Sequence, residues 1–330
     1  MSTPSTSPLS APAPAPVPRS ARQVTGRALG WLRRHCELGV LPPGTTAELA
    51  HPDSVYKPLG ETALAGSLVL REERADPRDH KAARELLDFA WWELRGGDML
   101  YERQLRYLMM TDPLELYTHF VRAGYRHRRL DALLEHLYGV VTPYAVEQVP
   151  NRRLAIANAA RLMGLDRATG RGIDWKLLTD ATWLGNTPEP WAVDWMTAYS
   201  MTHTVFHLTD WGARPGELPP HLEEYLQLWL PVWLEVWREV EEWDLFAELL
   251  IVGACLREPY LDPAAWAELA AVQHEDGLVP RDGKAVDGDA GRRFRDHHHP
   301  TVVAAVAGTL ALARVPPSGG PHGPSPEAAR

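Results

Sequence analysis

The chain has 330 residues, of which 45% are apolar and 23% are charged, and its formal net charge is −9. This balance is typical of a soluble globular protein, and the acidic excess argues against nucleic acid as a partner. The two cysteines, Cys36 and Cys255, exclude a disulfide scaffold and favour a cytoplasmic location. No apolar run is long enough for a transmembrane helix, so no membrane partner is expected.

The two ends of the chain differ in composition from the rest. Residues 1–22 are rich in Pro, Ala and Ser, and residues 315–330 are rich in Pro and Gly, so both are predicted to be disordered. Residues 23–314 are predicted to form one domain, because apolar residues recur there at the spacing of amphipathic helices. The predicted helical segments are 23–40, 79–95, 98–110, 113–124, 128–139, 150–163, 191–209, 221–239, 243–257, 262–273 and 300–313. Without any alternating strand pattern, these segments predict an all-α fold of about a dozen helices.

The segment from Thr202 to Gly212 contains His203, His207 and Asp210. On a helix these side chains share one stripe, so two imidazole nitrogens and a carboxylate could reach one metal ion. Such ligands suit zinc, copper or iron. Asp210 would be a fourth ligand or would orient one imidazole. The alternative is that both histidines are half-buried and hydrogen-bond to carbonyl oxygens.

A second pair of candidate residues, Asp244 and Glu248, lies on an otherwise apolar predicted helix. A buried carboxylate without a partner is costly, so each would pair with a cation, bind metal or have a raised pKa. We expect Glu248 to be the general acid or base, with Asp244 as its partner. The alternative is that Asp244 is a first-turn acid that the helix dipole favours and that Glu248 is a surface residue.

Three consecutive histidines, His297 to His299, precede Pro300 and a predicted helix of small residues. In an exposed loop such a triplet would bind metal only adventitiously. At a helix start, His298 or His299 would point inward, and His299 could join His203 and His207 as a third ligand. A site with three nitrogen ligands and an open position suits a catalytic metal.

Two short sequence patterns occur before and at the end of this histidine triplet. Residues 273–277 read Gln-His-Glu-Asp-Gly, and His299-Pro300-Thr301 follows after a polar loop. This order resembles the repeat unit of the terpenoid-cyclase and protein-prenyltransferase toroids, in which a Gln-x-x-Asp-Gly end is followed by a His-x-Thr turn. The resemblance implies an α/α toroid around a central cavity and, from the prenyltransferases, His299 as a zinc ligand.

The sequence departs from both of these enzyme classes, because it contains neither an Asp-x-Cys pair nor the acidic motifs of the cyclases. Residues 202–212 contain the pattern Thr-His-x-x-Phe-x-x-Thr-Asp-Trp-Gly, which is similar to a signature of uncharacterised actinobacterial helical proteins. That likeness implies no particular chemistry.

These features together predict a metal-dependent tailoring or cyclisation enzyme of specialised metabolism that acts on a small organic or peptide-like substrate. Its predicted metal ligands are His203, His207 and His299, and its predicted catalytic groups are Glu248, Asp244 and Asp210. One alternative is a metal-free cyclase or lyase that uses Asp210 and Glu248 as acid and base. The other is a non-enzymatic helical protein that binds a peptide or a lipid-like ligand.

Overall fold

The computed structural model describes residues 16–48, 55–140, 146–168 and 173–315. Its helices are α1 (Val17–His35), α2 (Lys57–Arg71), α3 (Pro77–Glu93), α4 (Asp98–Arg106), α5 (Asp112–Arg122), α6 (Arg128–Tyr138), α7 (Pro150–Met163), α8 (Leu165–Ala168), α9 (Trp175–Asp180), α10 (Trp195–Leu208), α11 (Pro220–Glu239), α12 (Trp243–Cys255), α13 (Pro263–Val272) and α14 (Ala290–Arg314). No strand occurs in these ranges, so the predicted all-α fold is confirmed. None of the helices described there is long and apolar enough to cross a membrane.

The first helix begins earlier than the sequence predicted. Helix α1 starts at Val17, and a proline in its first turn is tolerated because the first N–H groups of a helix have no partner within it. Ser20 and Ala21, which the composition assigned to the disordered tail, are buried. The domain therefore extends at least to Val17, and the rest of the two predicted tails, 1–15 and 316–330, lies outside the described residues.

Helix α2 is missing from the sequence-based prediction. Pro58, Gly60 and Gly66 interrupt its pattern, and its small residues are buried around most of the helix rather than along one stripe. A Cβ atom added at Gly66 would lie 2.8 Å from Leu87 Cγ of α3. The glycine therefore lets α2 and α3 pack closely, and a residue with a side chain would force them apart.

Six of the described helices form a closed ring. Helix α2 contacts α5, and the contacts continue through α7, α10, α12 and α14, which in turn contacts α2. Helices α1, α3, α9, α11 and α13 each pack against a ring helix, and none of them contributes a residue to the cavity that the ring encloses. The α/α toroid that the resemblance implies and a relation to that superfamily both stay predictions.

The histidine triplet lies inside a helix rather than at its start. Helix α14 begins at Ala290, and the side chain of Asp289 caps it by accepting a hydrogen bond of 2.8 Å from the backbone of Arg292. Pro300 is internal, and the buried small residues after it pack against α1, α2 and α12. The predicted start at residue 300 is wrong, because the Arg and His residues that indicated a loop form the first turns of this helix.

Candidate functional site

The ring encloses a cavity of about 210 Å³. Each ring helix contributes a polar side chain to its wall, namely Glu61, Glu115, Arg152, His203, Glu248 and His299. Most of the remaining wall is apolar and includes Phe206, Ile251 and Val302. A small apolar volume with a few converging ionisable groups is the usual form of a small-molecule site.

His299 of α14 lies among three carboxylates at one end of the cavity. Its Nδ1 is 2.7 Å from Glu61 Oε1. Its Nε2 is 3.5 Å from Asp244 Oδ2 and 4.0 Å from Glu248 Oε1. Burial alone would lower the pKa of His299, but Glu61 and the other two carboxylates raise it to about 9. The ring is therefore an imidazolium at neutral pH.

Glu61 of α2 contacts two neighbouring histidines through its two oxygens. Its second oxygen is 3.2 Å from His298 Nδ1, and the other nitrogen of His298 is 3.1 Å from the hydroxyl of Thr62. Burial would raise the pKa of Glu61, but the rings of His299 and His298 hold it well below its ordinary value. The sequence analysis missed Glu61 because it missed α2.

Glu248 of α12 is a buried carboxyl at the cavity wall. Its side chain is 2% exposed, and one oxygen accepts a hydrogen bond from the hydroxyl of Thr202 on α10. The same oxygen is 4.0 Å from His203 Nδ1, so His203 and His299 lie near opposite oxygens of Glu248. Burial raises the pKa of Glu248 although His203 opposes the shift. The structure thus places Glu248 where a protonated carboxyl is favoured.

Asp244 lies one helical turn before Glu248 and is also buried. One of its oxygens accepts a hydrogen bond from the hydroxyl of Tyr199 on α10. Burial, followed by the charge of Asp244, raises the pKa of Tyr199 above its ordinary value, so the phenol stays protonated as a donor. The second oxygen, Oδ1, is buried and has no hydrogen-bond partner among the described residues. Asp244 is therefore a partner of His299 and Tyr199 rather than only a first-turn acid.

His203 and His207 are neighbours on α10, with ring centroids 6.0 Å apart. The Nδ1 of His203 is 2.7 Å from the carbonyl oxygen of Tyr199 in the preceding turn, which is the alternative that the sequence left open. Burial, then the nearby His203 and Arg152, hold the pKa of His207 well below 6.5. Both residues line the cavity, and His207 is neutral at physiological pH.

The donor groups do not fit the predicted metal centre. In the part of the chain that the structure describes, no three His, Cys, Asp or Glu side chains are placed to hold one metal ion. His299 directs both ring nitrogens at carboxylates and is protonated, whereas a metal ligand needs a free lone pair. His203 uses Nδ1 on its own helix. The transition-metal cofactor therefore stays a prediction.

Asp210 pairs with a guanidinium rather than with an imidazole. Its Oδ1 accepts a hydrogen bond of 2.7 Å from Arg122 Nη2 and one of 3.3 Å from Asn158 Nδ2. The backbone at Asp210, Trp211 and Gly212 has φ values of 46°, 54° and 76°, which turn the chain sharply after α10. The expected role in orienting an imidazole is not supported, since the charge that compensates Asp210 comes from Arg122.

A second ion pair, which the sequence analysis did not identify, also lines the cavity. Arg152 Nη2 of α7 is 3.2 Å from Glu115 Oε1 of α5. Burial raises the pKa of Glu115 to about 7, although Arg152 opposes the shift. His119 lies one turn after Glu115, and burial together with Arg122 lowers the pKa of His119 to about 3. This wall therefore presents two guanidinium groups and neutral imidazoles.

A groove of about 540 Å³ adjoins the cavity on the side of Arg152. Arg152, His203 and His207 line both spaces, so the groove and the cavity are adjacent. The groove also includes Trp195 and Met196, each with an exposed fraction of 59%. It places a partly apolar surface beside the cavity that holds the buried acids.

Residues 25–309 match the family described as a domain of unknown function, DUF6895. The chain belongs to this family. None of the curated proteins and none of the solved structures that were compared gives a match.

Proposed function

We propose that this DUF6895 protein is an acid–base enzyme, of the cyclase or lyase type, that acts on a small organic or peptide-like substrate in the ring cavity. The observation that carries the proposal is Glu248, which lines the cavity, is 2% exposed and lies between His203 and His299. Burial raises its pKa, which favours the protonated carboxyl that an acid needs before it gives a proton to a bound molecule.

The reaction begins when the Glu248 carboxyl gives its proton to a carbonyl oxygen or an alkene carbon of the substrate. The carbon that becomes electron-poor is then attacked by a second group of the same molecule, or loses a neighbouring proton. That attack or loss releases one proton, which returns to the Glu248 carboxylate and restores the enzyme. The imidazolium of His299, 4.0 Å from Glu248, stabilises the carboxylate in the interval.

Neighbouring side chains act through these two groups. Thr202 donates to Glu248 and fixes the direction of its carboxyl. Glu61 and Asp244 hold His299 in the charged state, so both are positioning residues. The proposal omits the metal ion of the sequence-based hypothesis, because a protonated His299 supplies the positive charge that the ion would have supplied.

Hydrogen–deuterium exchange at carbon tests the proposal without knowledge of the natural substrate. The full chain is incubated in deuterium oxide with a panel of small ketones, unsaturated acids and unsaturated alcohols, and mass spectrometry measures the deuterium bound to carbon. We expect exchange into at least one compound and a loss of about 100-fold or more in Glu248→Gln, since a positioned acid or base contributes ~10²–10⁴-fold.

The matched control is Glu223→Gln, because Glu223 is also a buried glutamate but lies on α11 outside the cavity and pairs with Arg257. This variant should exchange deuterium at the wild-type rate. Absence of exchange across the panel, or equal exchange in Glu248→Gln and wild type, would overturn the proposal. The result would favour the non-enzymatic binding protein.

A further inference from the structure

Arg152 occupies the junction between the cavity and the groove. It lines both spaces, and its side chain is 44% exposed, so a molecule entering through the groove passes its guanidinium. The proton transfer proposed for Glu248 does not use it. Arg152 is therefore a cation at the entrance with no role assigned so far.

The pairing of Arg152 differs from that of the other arginine on the same wall. Arg122 lies 2.7 Å from Asp210 and is buried with it, so its charge is matched. Arg152 lies 3.2 Å from Glu115, whose pKa is raised to about 7 by burial. Burial therefore favours the protonated form of Glu115 more than in an ordinary carboxyl, and the charge of Arg152 is only partly compensated.

Two neutral imidazoles lie on the same wall and add hydrogen-bond donors. His119 Nδ1 is 3.5 Å from Arg122 Nη1, and because a guanidinium can only donate, the ring proton of His119 is on Nε2. His207 has no hydrogen-bond partner for its ring nitrogens among the described residues and lines both the cavity and the groove. Each ring offers one N–H group to a ligand.

The remaining wall of the cavity determines the polarity and the size of the rest of the ligand. Ala155, Leu162, Phe206 and Val302 line the space between Arg152 and the acids. The cavity volume of about 210 Å³ is somewhat larger than the ~150 Å³ of an apolar cavity that holds a benzene molecule. A ligand that fills it is mainly hydrocarbon and short.

We propose that the substrate of this site is a small apolar carboxylic acid, whose carboxylate binds Arg152 at the junction while its hydrocarbon part extends through the cavity toward Glu248. A single, partly compensated guanidinium suits one negative charge better than the two charges of a phosphate monoester. This inference rests on the proposed function, since Glu248 is the group that the hydrocarbon part would reach.

Isothermal titration calorimetry with three probes of equal chain length tests the inference. The probes are hexanoate, hexanol and hexylamine, and the protein is the full chain at pH 7. We expect hexanoate to bind at least tenfold more tightly than hexanol, and hexylamine to bind more weakly than either. Arg152→Gln should weaken hexanoate at least tenfold and leave hexanol unchanged.

Two further variants make the result specific. Arg153→Gln is the matched control, because Arg153 is the next residue, is exposed and lines neither space, so it should bind hexanoate like the wild type. Glu115→Gln removes the competing carboxylate and should tighten hexanoate binding. Equal affinity for hexanoate and hexanol, or equal loss in Arg152→Gln and Arg153→Gln, would overturn the inference.

The two proposals fail in different measurements. Glu248→Gln should retain the binding of hexanoate while it loses deuterium exchange, because binding of the carboxylate depends on Arg152. Exchange that survives in Glu248→Gln refutes the acid–base role and leaves the carboxylate site standing. Normal exchange with no preference for hexanoate refutes the carboxylate site and leaves the acid–base role standing.

Discussion

His299→Gln tests the charge network on which the site depends. The carboxylates around His299 raise its pKa from 6.5 to about 9 in the folded protein. At ~1.4 kcal/mol for each pKa unit, a shift of this size corresponds to about 3 kcal/mol of folding free energy. The side chain is 32% exposed, so solvent screening reduces the expected effect to about 2 kcal/mol.

The pKa of His299 is higher in the folded state than in the unfolded state, which fixes the direction of the pH dependence. The stabilisation is fully present below about pH 6.5 and is lost as the pH rises through about 9. Glutamine keeps a similar size but cannot carry the charge. His299→Gln should therefore be less stable than wild type by about 2 kcal/mol at pH 6, and the difference should vanish near pH 10.

Urea denaturation at a series of pH values measures this difference as a change in the free energy of unfolding. The control is His136→Gln, because His136 is exposed on α6 and should leave the pH profile unchanged. If wild type and His299→Gln lose stability in parallel between pH 6 and pH 10, His299 is not an imidazolium in the folded protein. The stabilisation of the Glu248 carboxylate by His299 would then be refuted.

Three further predictions concern the core, the second ion pair and the metal. Gly66→Ala should reduce the free energy of unfolding by about 1–3 kcal/mol in chemical denaturation, because the added Cβ would lie 2.8 Å from Leu87. The control Gly216→Ala should be close to neutral, because nothing lies within 4 Å of a Cβ added there. Asp210→Asn should cost about 3–5 kcal/mol, since it leaves the buried Arg122 without its counter-ion, and a thermal shift below ~2 °C would contradict this. Plasma mass spectrometry of tag-free protein should find well below one equivalent of zinc, copper or iron, and one equivalent would restore the metal hypothesis.

The fold class followed from helical spacing, and the two largest errors have local causes. Helix α2 buries small residues around most of its surface and has Pro58 in its first turn, so it lacks the one-sided pattern that identifies an amphipathic helix. The first turns of α14 are rich in Arg and His and precede Pro300, a combination that reads as a loop. In both helices, packing against neighbours in the ring outweighs the local signal.

A residue of the candidate site was predictable only where an ionisable side chain interrupts an apolar helical pattern. Glu248 was identified because a carboxylate in an apolar helix needs an explanation, and the structure brings His203 and His299 close to it. Glu115 and Arg152 occupy ordinary positions near helix starts, and no sequence pattern shows that these positions face a cavity. That orientation depends on how the six helices close, which is a tertiary property.

The closing contact of the ring joins α2 to α14, the first and last of its helices along the chain. Glu61 meets His298 and His299 across 237 and 238 residues of sequence, so a ribosome must finish almost the whole domain before this pair can form. Until then Glu61 stays hydrated and the acids of α12 lack their cation. The charges around His299 are therefore assembled last. A chain that stops before α14 lacks His299 itself, and Glu248 then has no imidazolium beside it.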